Sequence, residues 1–165
     1  IYYLTDDTKY NLVTHPKYHD QFKQFAEQNN FYDLFLISKD NLQVVYSVFK
    51  ETDFATSFKD GPHKDTSFAK MVKKIVEDYE SNAFKEPEVY FTDFERYSPS
   101  YFAPAAFVMA PIFDAGDDFA GVFAAQIKAD NLNRVMANNY QWKKIGLGLT
   151  GNSYLVGEDL LLRSD

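Results

Sequence analysis

Two long apolar runs, residues 105–113 and 119–128, are separated only by Asp114-Ala115-Gly116-Asp117-Asp118. A polar, glycine-bearing link of that length turns the chain straight back, so the two runs become neighbouring strands of a hairpin. A parallel pair would need a crossover of a dozen or more residues between them. The hairpin therefore commits the chain to an antiparallel sheet, around which the other segments have to be arranged.

Those segments are legible from their periodicity. Pro16 suits the first turn of a helix in which Tyr18, Phe22, Phe25 and Ala26 recur at helical spacing until Asn29-Asn30. The run FYDLFLIS (31–38) predicts a strand, Lys39-Asp40-Asn41 a turn, and 43–49 a second strand, giving another antiparallel hairpin. Beyond Gly61-Pro62, Phe68, Met71, Val72, Ile75, Val76 and Tyr79 trace one helical face, with Asp65 or Thr66 placed to cap it. A short strand is predicted at 89–94 and a loop at 95–104. After the long hairpin come a helix from 130 to about 138, a glycine-spaced loop and a strand beginning at Ser153. Helix, two strands, helix, three strands, helix predicts an α+β fold: an antiparallel sheet of about five strands with helices outside it.

Composition narrows the function classes. The 165 residues suit one domain with room for part of a second, and 45% are apolar, including 16 Phe and 12 Tyr, which excludes disorder. A formal charge of −7 argues against nucleic acid and against an anionic membrane surface as partners. The absence of cysteine excludes disulfides, thiolate zinc sites and a cysteine nucleophile. The longest apolar stretch, 102–113, contains Pro104 and Pro111 and is too short to span a bilayer. The chain starts at Ile1 and ends on Leu160-Leu161-Leu162-Arg163-Ser164-Asp165, which reads as a strand or hairpin cut short. It is expected to be a piece of a longer protein, with any signal peptide or transmembrane helix outside it.

Motifs for chemistry are weak. Gly146-Leu147-Gly148-Leu149-Thr150-Gly151 fits the dinucleotide fingerprint in its letters, but a helix precedes it and a strand follows, the reverse of what pyrophosphate binding needs. A flexible link is expected there. His15 and His19 are four apart, yet no HExxH surrounds them and no third ligand is evident, so they read as exposed helix-start residues. Asp114, Asp117 and Asp118 lack an EF-hand loop and read as a charged turn. No GxSxG occurs and no carboxylate pair is singled out by spacing. The expectation is a protein that is not an enzyme, with no catalytic residues, no metal and no cofactor.

Recognition chemistry has a better candidate. Alternation puts Phe107, Met109 and Phe113 on one face of their strand and Ala106, Val108, Ala110 and Ile112 on the other. In the following strand Phe123 and Ile127 share a face opposite Ala120, Val122, Ala124 and Gln126. If the small residues of both strands meet, they either admit a closely packed helix or leave room for a ligand. A pocket is expected on that face, floored by Ala106, Val108, Ala110, Ala124 and Gln126 and closed by the loop carrying Tyr97 and Tyr101, with Lys50 and Asp93 at its rim.

The series Tyr32-Asp33-Leu34-Phe35-Leu36-Ile37, Val44-Val45-Tyr46-Ser47-Val48-Phe49-Lys50-Glu51 and Asp53-Phe54-Ala55-Thr56-Ser57 resembles extracytoplasmic Cache sensor domains of bacterial methyl-accepting chemotaxis proteins. So do Tyr97-Ser98-Pro99-Ser100, Pro104-Ala105-Ala106-Phe107, Ala110-Pro111-Ile112-Phe113-Asp114 and Gly121-Val122-Phe123-Ala124-Ala125-Gln126-Ile127. The closing Gly148-Leu149-Thr150-Gly151-Asn152-Ser153-Tyr154-Leu155-Val156-Gly157 is similar to the step into the second module of a double-Cache sensor. Similar domains also precede histidine kinase and nucleotide cyclase outputs.

The resemblance implies a PAS-like sheet with a long N-terminal helix and a ligand pocket on one face. It divides the chain into an N-terminal helical segment (1–30), the sensor domain (31–138), and a linker with the first strand of a truncated module (139–165). It further implies a periplasmic position in an inner-membrane receptor, a homodimer in the full receptor and a small-molecule ligand. In amino-acid-binding members an Asp at the GVxxxD position receives the ligand's ammonium group. That position here is Gln126, which points instead to a small carboxylate or another metabolite.

Overall fold

The computed structural model describes residues 15–81, 89–139, 141–146, 148, 151 and 153–164. The first helix, α1 (His15–Gln28), starts where Pro16 predicts and leads into β1 (Phe31–Ser38) and β2 (Val44–Ser47), which pair antiparallel. The next helix is α2 (Ser67–Glu80), whose Thr66 side chain accepts a hydrogen bond from the Ala69 amide, so the second of the two cap candidates is used. Then come β3 (Tyr90–Phe91), β4 (Glu95–Tyr97), a 3-10 turn at Ser98–Ser100, β5 (Ala103–Phe113), β6 (Phe119–Lys128) and α3 (Ala129–Met136).

The sheet order is β2-β1-β6-β5-β3, with β4 also on β5. The strand predicted at 89–94 is reduced to β3, facing Met109 and Val108, and the expected loop at 95–104 instead begins with β4, which faces Ala105 to Ala103 and continues the same edge. Thr92 bridges the break: its amide donates to the Phe107 carbonyl, and its hydroxyl accepts from the Phe107 amide in place of a backbone carbonyl. The strand expected from Ser153 is reduced to a single bridge between Val156 and Leu162. Of the glycine-spaced loop, Gly146 and Gly148 adopt left-handed φ angles of 86° and 74°, whereas Leu147, Leu149 and Thr150 lie outside the described residues.

Each sheet face carries its own core. Over one, α2 buries Phe68, Ala69, Val72, Ile75 and Val76 against Phe35, Ile37, Phe107, Met109, Val122 and Ala124. The Phe68 and Phe107 rings stack with centroids 3.9 Å apart, and each such fully buried phenyl contributes roughly 1.5–3 kcal/mol. Over the other face, α1 brings Ala26 and Phe22 to Leu34, Phe31, Val108, Ala125 and Phe123. The histidines at the start of α1 are not simply exposed: His15 and His19 stack at 4.5 Å, and His19 Nδ1 lies 3.0 Å from the Tyr46 hydroxyl on β2. Partial burial, with Lys50 and His19 adding like charge, holds the His15 pKa below its usual value.

The shared small-residue floor is corrected by the register. Phe113 faces Phe119, and without interruption Ala110 would face Val122, Val108 would face Ala124 and Ala106 would face Gln126. A bulge between Ile112 and Phe113 shifts the pairing by one, so Ile112 faces Gly121, Met109 faces Ala124 and Phe107 faces Gln126. Ala106, Val108 and Ala110 therefore pair with Ile127, Ala125 and Phe123 on the α1 face, while Ala124 and Gln126 lie on the α2 face. Gly121 sits beside the bulge because a Cβ there would collide with the Ile37 carbonyl of β1.

Candidate functional site

At one end of the α2 face the apolar core gives way to hydrogen-bonded side chains. They come from β1 (Tyr32, Asp33), from β2 and the loop after it (Ser47, Glu51, Asp53), from the edge strand and its 3-10 turn (Tyr97, Ser100), and from β6 (Gln126). Pro99 in the first turn of the 3-10 segment fixes the chain so that Tyr97 and Ser100 both point inward and are buried.

Asp33 is fully buried beside the β1–β2 pairing. Its Oδ1 accepts from the Leu34 and Val48 amides at 2.6 and 2.8 Å, and its Oδ2 accepts from the Ser47 hydroxyl at 2.7 Å. Burial nevertheless outweighs these bonds and pushes its pKa up to about 6. Asp53, also fully buried, has one side-chain partner: the Tyr97 hydroxyl donates to Oδ2 at 2.7 Å, while Oδ1 has none. Burial raises the Asp53 pKa, with the Glu51 charge adding to it.

Glu51 joins this group to a surface cleft. Its Oε1 accepts from the Tyr32 hydroxyl and its Oε2 from the Ser100 hydroxyl, both at 2.8 Å. Burial and the Glu51 carboxylate raise the Tyr32 pKa to about 12. Gln126 Nε2 donates to Ser100 Oγ at 3.0 Å. A cleft of about 380 Å3 has Tyr32, Ser100 and Gln126 on its wall, with Ala103, Pro104, Ile127, Lys128, Ala129 and Asp130 completing it. A volume of that size suits a small metabolite.

The structure brings only some of the sequence-derived candidates here. Gln126 lines the cleft and Tyr97 lies behind it, fully buried, whereas Tyr101 on the same loop is 89% exposed. Ala124 is packed in the core with Phe35 and Met109. Ala106, Val108 and Ala110 are under α1, away from the site. Lys50 is exposed, three residues beyond β2, with its ammonium 5.8 Å from the Phe54 ring. Asp93 is exposed at the break in the edge strand and accepts two hydrogen bonds from Arg163 at 2.8 and 2.6 Å. Tyr32, Asp33, Glu51, Asp53 and Ser100, which the structure groups around this cleft, are not among the sequence-derived candidates. An acid at position 33, inside an otherwise apolar strand, was the one local signal that could have pointed to them.

Among the described residues no group of histidine and carboxylate side chains is arranged to hold a metal ion, and no helix is long and apolar enough to cross a membrane. Asp114, Asp117 and Asp118 do form a turn, closed by the Gly116 and Asp118 amides on Asp114 Oδ1.

The six-stranded antiparallel sheet with α1 and α2 on its two faces resembles in fold the ligand-binding and sensor domains of two chemoreceptors and a histidine kinase. The chain is similar to the ligand-binding domain of the amino-acid chemoreceptor PctC of Pseudomonas aeruginosa PAO1, solved in complex with GABA: TM-score 0.57, 13% identity, 91% of this chain and 56% of that one. It is also similar to the ligand-binding domain of the Pseudomonas fluorescens chemoreceptor CtaA in complex with L-isoleucine (TM-score 0.55, 11% identity, 94% and 54% covered). The sensor domain of the Vibrio cholerae histidine kinase DctB follows at TM-score 0.50 and 16% identity, with 79% and 42% covered. At these identities the likeness is one of fold, and the chain spans about half the length of the domains it matches. No family model matches the sequence, and neither does any curated protein.

Proposed function

We propose that the chain is an extracytoplasmic ligand-sensing domain of a bacterial transmembrane chemoreceptor, binding a small metabolite in the cleft at Gln126 and performing no chemistry on it. The observation that carries this reading is the cleft wall itself. Gln126, Ser100 and Tyr32 of the wall, from three separate segments, are joined in one hydrogen-bonded chain through Glu51, on a fold shared with two chemoreceptor ligand-binding domains. In this reading residues 31–138 are the sensor domain, 1–30 an N-terminal helical segment of which 1–14 lie outside the described residues, and 139–165 a linker and the first strand of a following module, the receptor being a homodimer. Because the cleft wall joins β1, the edge-strand turn and β6, a ligand that prefers one spacing of these segments shifts the balance between two conformations. The likeness to DctB supports a second reading, the sensor domain of a membrane histidine kinase.

A thermal-shift screen of small carboxylates, amines, amino acids and sugars tests the sensor reading. At least one member is expected to raise Tm in a concentration-dependent manner, with the rise abolished by Gln126→Leu. A panel without any stabilising member would leave a packing module as the better account.

A further inference from the structure

The two long helices are held to the sheet unequally. α1 and α2 are both 14 residues long, but α2 buries Phe68, Ala69, Val72, Ile75 and Val76, whereas α1 buries only Ala26, near its end. Ahead of Ala26, the residues of α1 that reach the sheet are His15, His19 and Phe22, each half-buried. Spaced by four, three and four, these positions form one helical stripe. Its first two places hold imidazoles where α2 has apolar side chains. A segment packed this lightly can open without unfolding the domain.

Both imidazoles meet the same residue of β2. Their rings stack at 4.5 Å, and the buried Tyr46 ring lies 6.0 Å from His15, 6.2 Å from His19 and 5.0 Å from Phe22. The contact between His19 Nδ1 and the Tyr46 hydroxyl tolerates a proton on His19, because the hydroxyl can accept from Nδ1–H as well as donate to Nδ1. The stack does not tolerate two protons, which would set like charges about 4.5 Å apart. Among the described residues, burial opposes a charge on His15 most, followed by Lys50 after β2 and by His19, and Asp20 of α1 favours it least strongly. Tyr46 is the ionisable group that β2 contributes here, while β1 and β6 present Leu34, Leu36, Phe123 and Ala125, none of which titrates.

We infer that the first half of α1, residues 15–22, is a proton-operated strap, which lies on β2 while at most one of His15 and His19 is protonated and lifts off when acid charges both. The domain then has a second input besides the cleft, and that input is the proton. The strap lies on the opposite sheet face from Gln126 and needs no ligand, so it does not depend on the sensor reading. Its sign follows from linkage. Burial and Lys50 hold His15 below its ordinary value of 6.5 in the docked helix, so the stability of docking is fully present above pH 6.5 and is lost at more acid pH. Asp33, on the other face, titrates at about 6 and acts in the opposite sense, since its protonation strengthens the fold.

Amide hydrogen exchange of the 165-residue chain, expressed as protection factors so that the pH dependence of the chemical step cancels, tests the inference. From about pH 7.5 to about pH 5.5, protection of the α1 amides is expected to fall about fivefold or more, while that of the α2 amides holds. His63→Gln removes the third histidine of the chain and should leave the fall intact. His15→Phe combined with His19→Gln keeps a ring in the stack and an acceptor for Tyr46 but cannot titrate, and should abolish it. Should that variant fold poorly, the parent decides alone: the side-chain NMR titration of His15 is expected to share its midpoint with the loss of α1 protection. Protection in α1 that tracks α2 over the whole range overturns the inference. So does a fall that survives the double substitution, one that His63→Gln removes, or one whose midpoint departs from that of His15.

Discussion

The Tyr97 hydroxyl donates to Asp53 Oδ2 at 2.7 Å across 44 residues of sequence, and both side chains are fully buried. The bond ties the end of the edge strand to the loop after β2, so the position of one wall of the site depends on it. Tyr97 is also wedged among Phe68 and Phe107, with ring centroids at 6.1 and 5.0 Å, so its ring belongs to the core while its tip belongs to the site.

Removing only the hydroxyl isolates the tip. Tyr97→Phe leaves Asp53 with neither oxygen hydrogen-bonded by a side chain, and is expected to cost about 1–3 kcal/mol in urea unfolding. In an Asp53→Asn background the same change should cost less, since the stranded group is no longer a carboxylate. A double-mutant cycle with no coupling between the two positions would show that the bond carries no energy.

Asp33 gives the fold a pH dependence of definite sign. Its pKa is about 6 in the folded chain against an ordinary 3.8, so the folded state holds the proton more tightly than the unfolded state does. The stability this contributes is fully present below about pH 4 and is lost as pH rises through about 6, amounting to roughly 3 kcal/mol for a shift of that size. Asp33→Asn can still accept from the two amides and donate to Ser47, but it cannot titrate. The stability difference between the variant and the parent should therefore grow in the variant's favour from pH 4 to pH 6.5. A pH-independent difference would refute the assignment.

The bulge near Gly121 predicts a sensitive position far from the cleft. Gly121→Ala would press a methyl group into the Ile37 carbonyl, and neither backbone can retreat without breaking the pairing of β1 with β6. A loss of about 2–4 kcal/mol is expected by denaturant unfolding, as for other overpacked or strained core positions. Stability within a few tenths of a kcal/mol of the parent would show that the close approach is relieved at no cost.

That bulge also explains where the sequence stopped being readable. Strand and helix identities follow from local periodicity, which is why α2 and the two hairpins could be placed from Phe68, Val72, Ile75 and the charged turn at 114–118. Which face of β5 meets which face of β6 depends on one extra residue near Ala120, and no local pattern announces it. The error moved Ala106, Val108 and Ala110 to the wrong side of the sheet. The acids were hidden for another reason: Glu51 and Asp53 lie in an irregular loop, and only the packing of Tyr97 and Ser100 from a distant segment makes them part of a site. Gln126 could be found because it is the one amide in an apolar strand, and that signal is local.

The same geometry separates a packed position from a cleft position by two enlargements. Ala124 is fully buried, opposite Met109 and beside Phe35, with α2 covering it, so Ala124→Leu has no vacant volume to enter. It should overpack the core at a cost of about 1–3 kcal/mol whether or not a ligand is present. Ala103, by contrast, is exposed on the cleft wall, and Ala103→Phe can extend its ring into the 380 Å3 space beside Ser100 and Gln126. Its Tm without ligand should match the parent within about 2 °C, as for a surface substitution, while the Tm rise given by the best stabilising metabolite disappears. If Ala124→Leu keeps full stability and Ala103→Phe keeps the full ligand response, the site lies deeper under α2 than the cleft, and the assignment of Gln126 to the wall of the binding site is wrong.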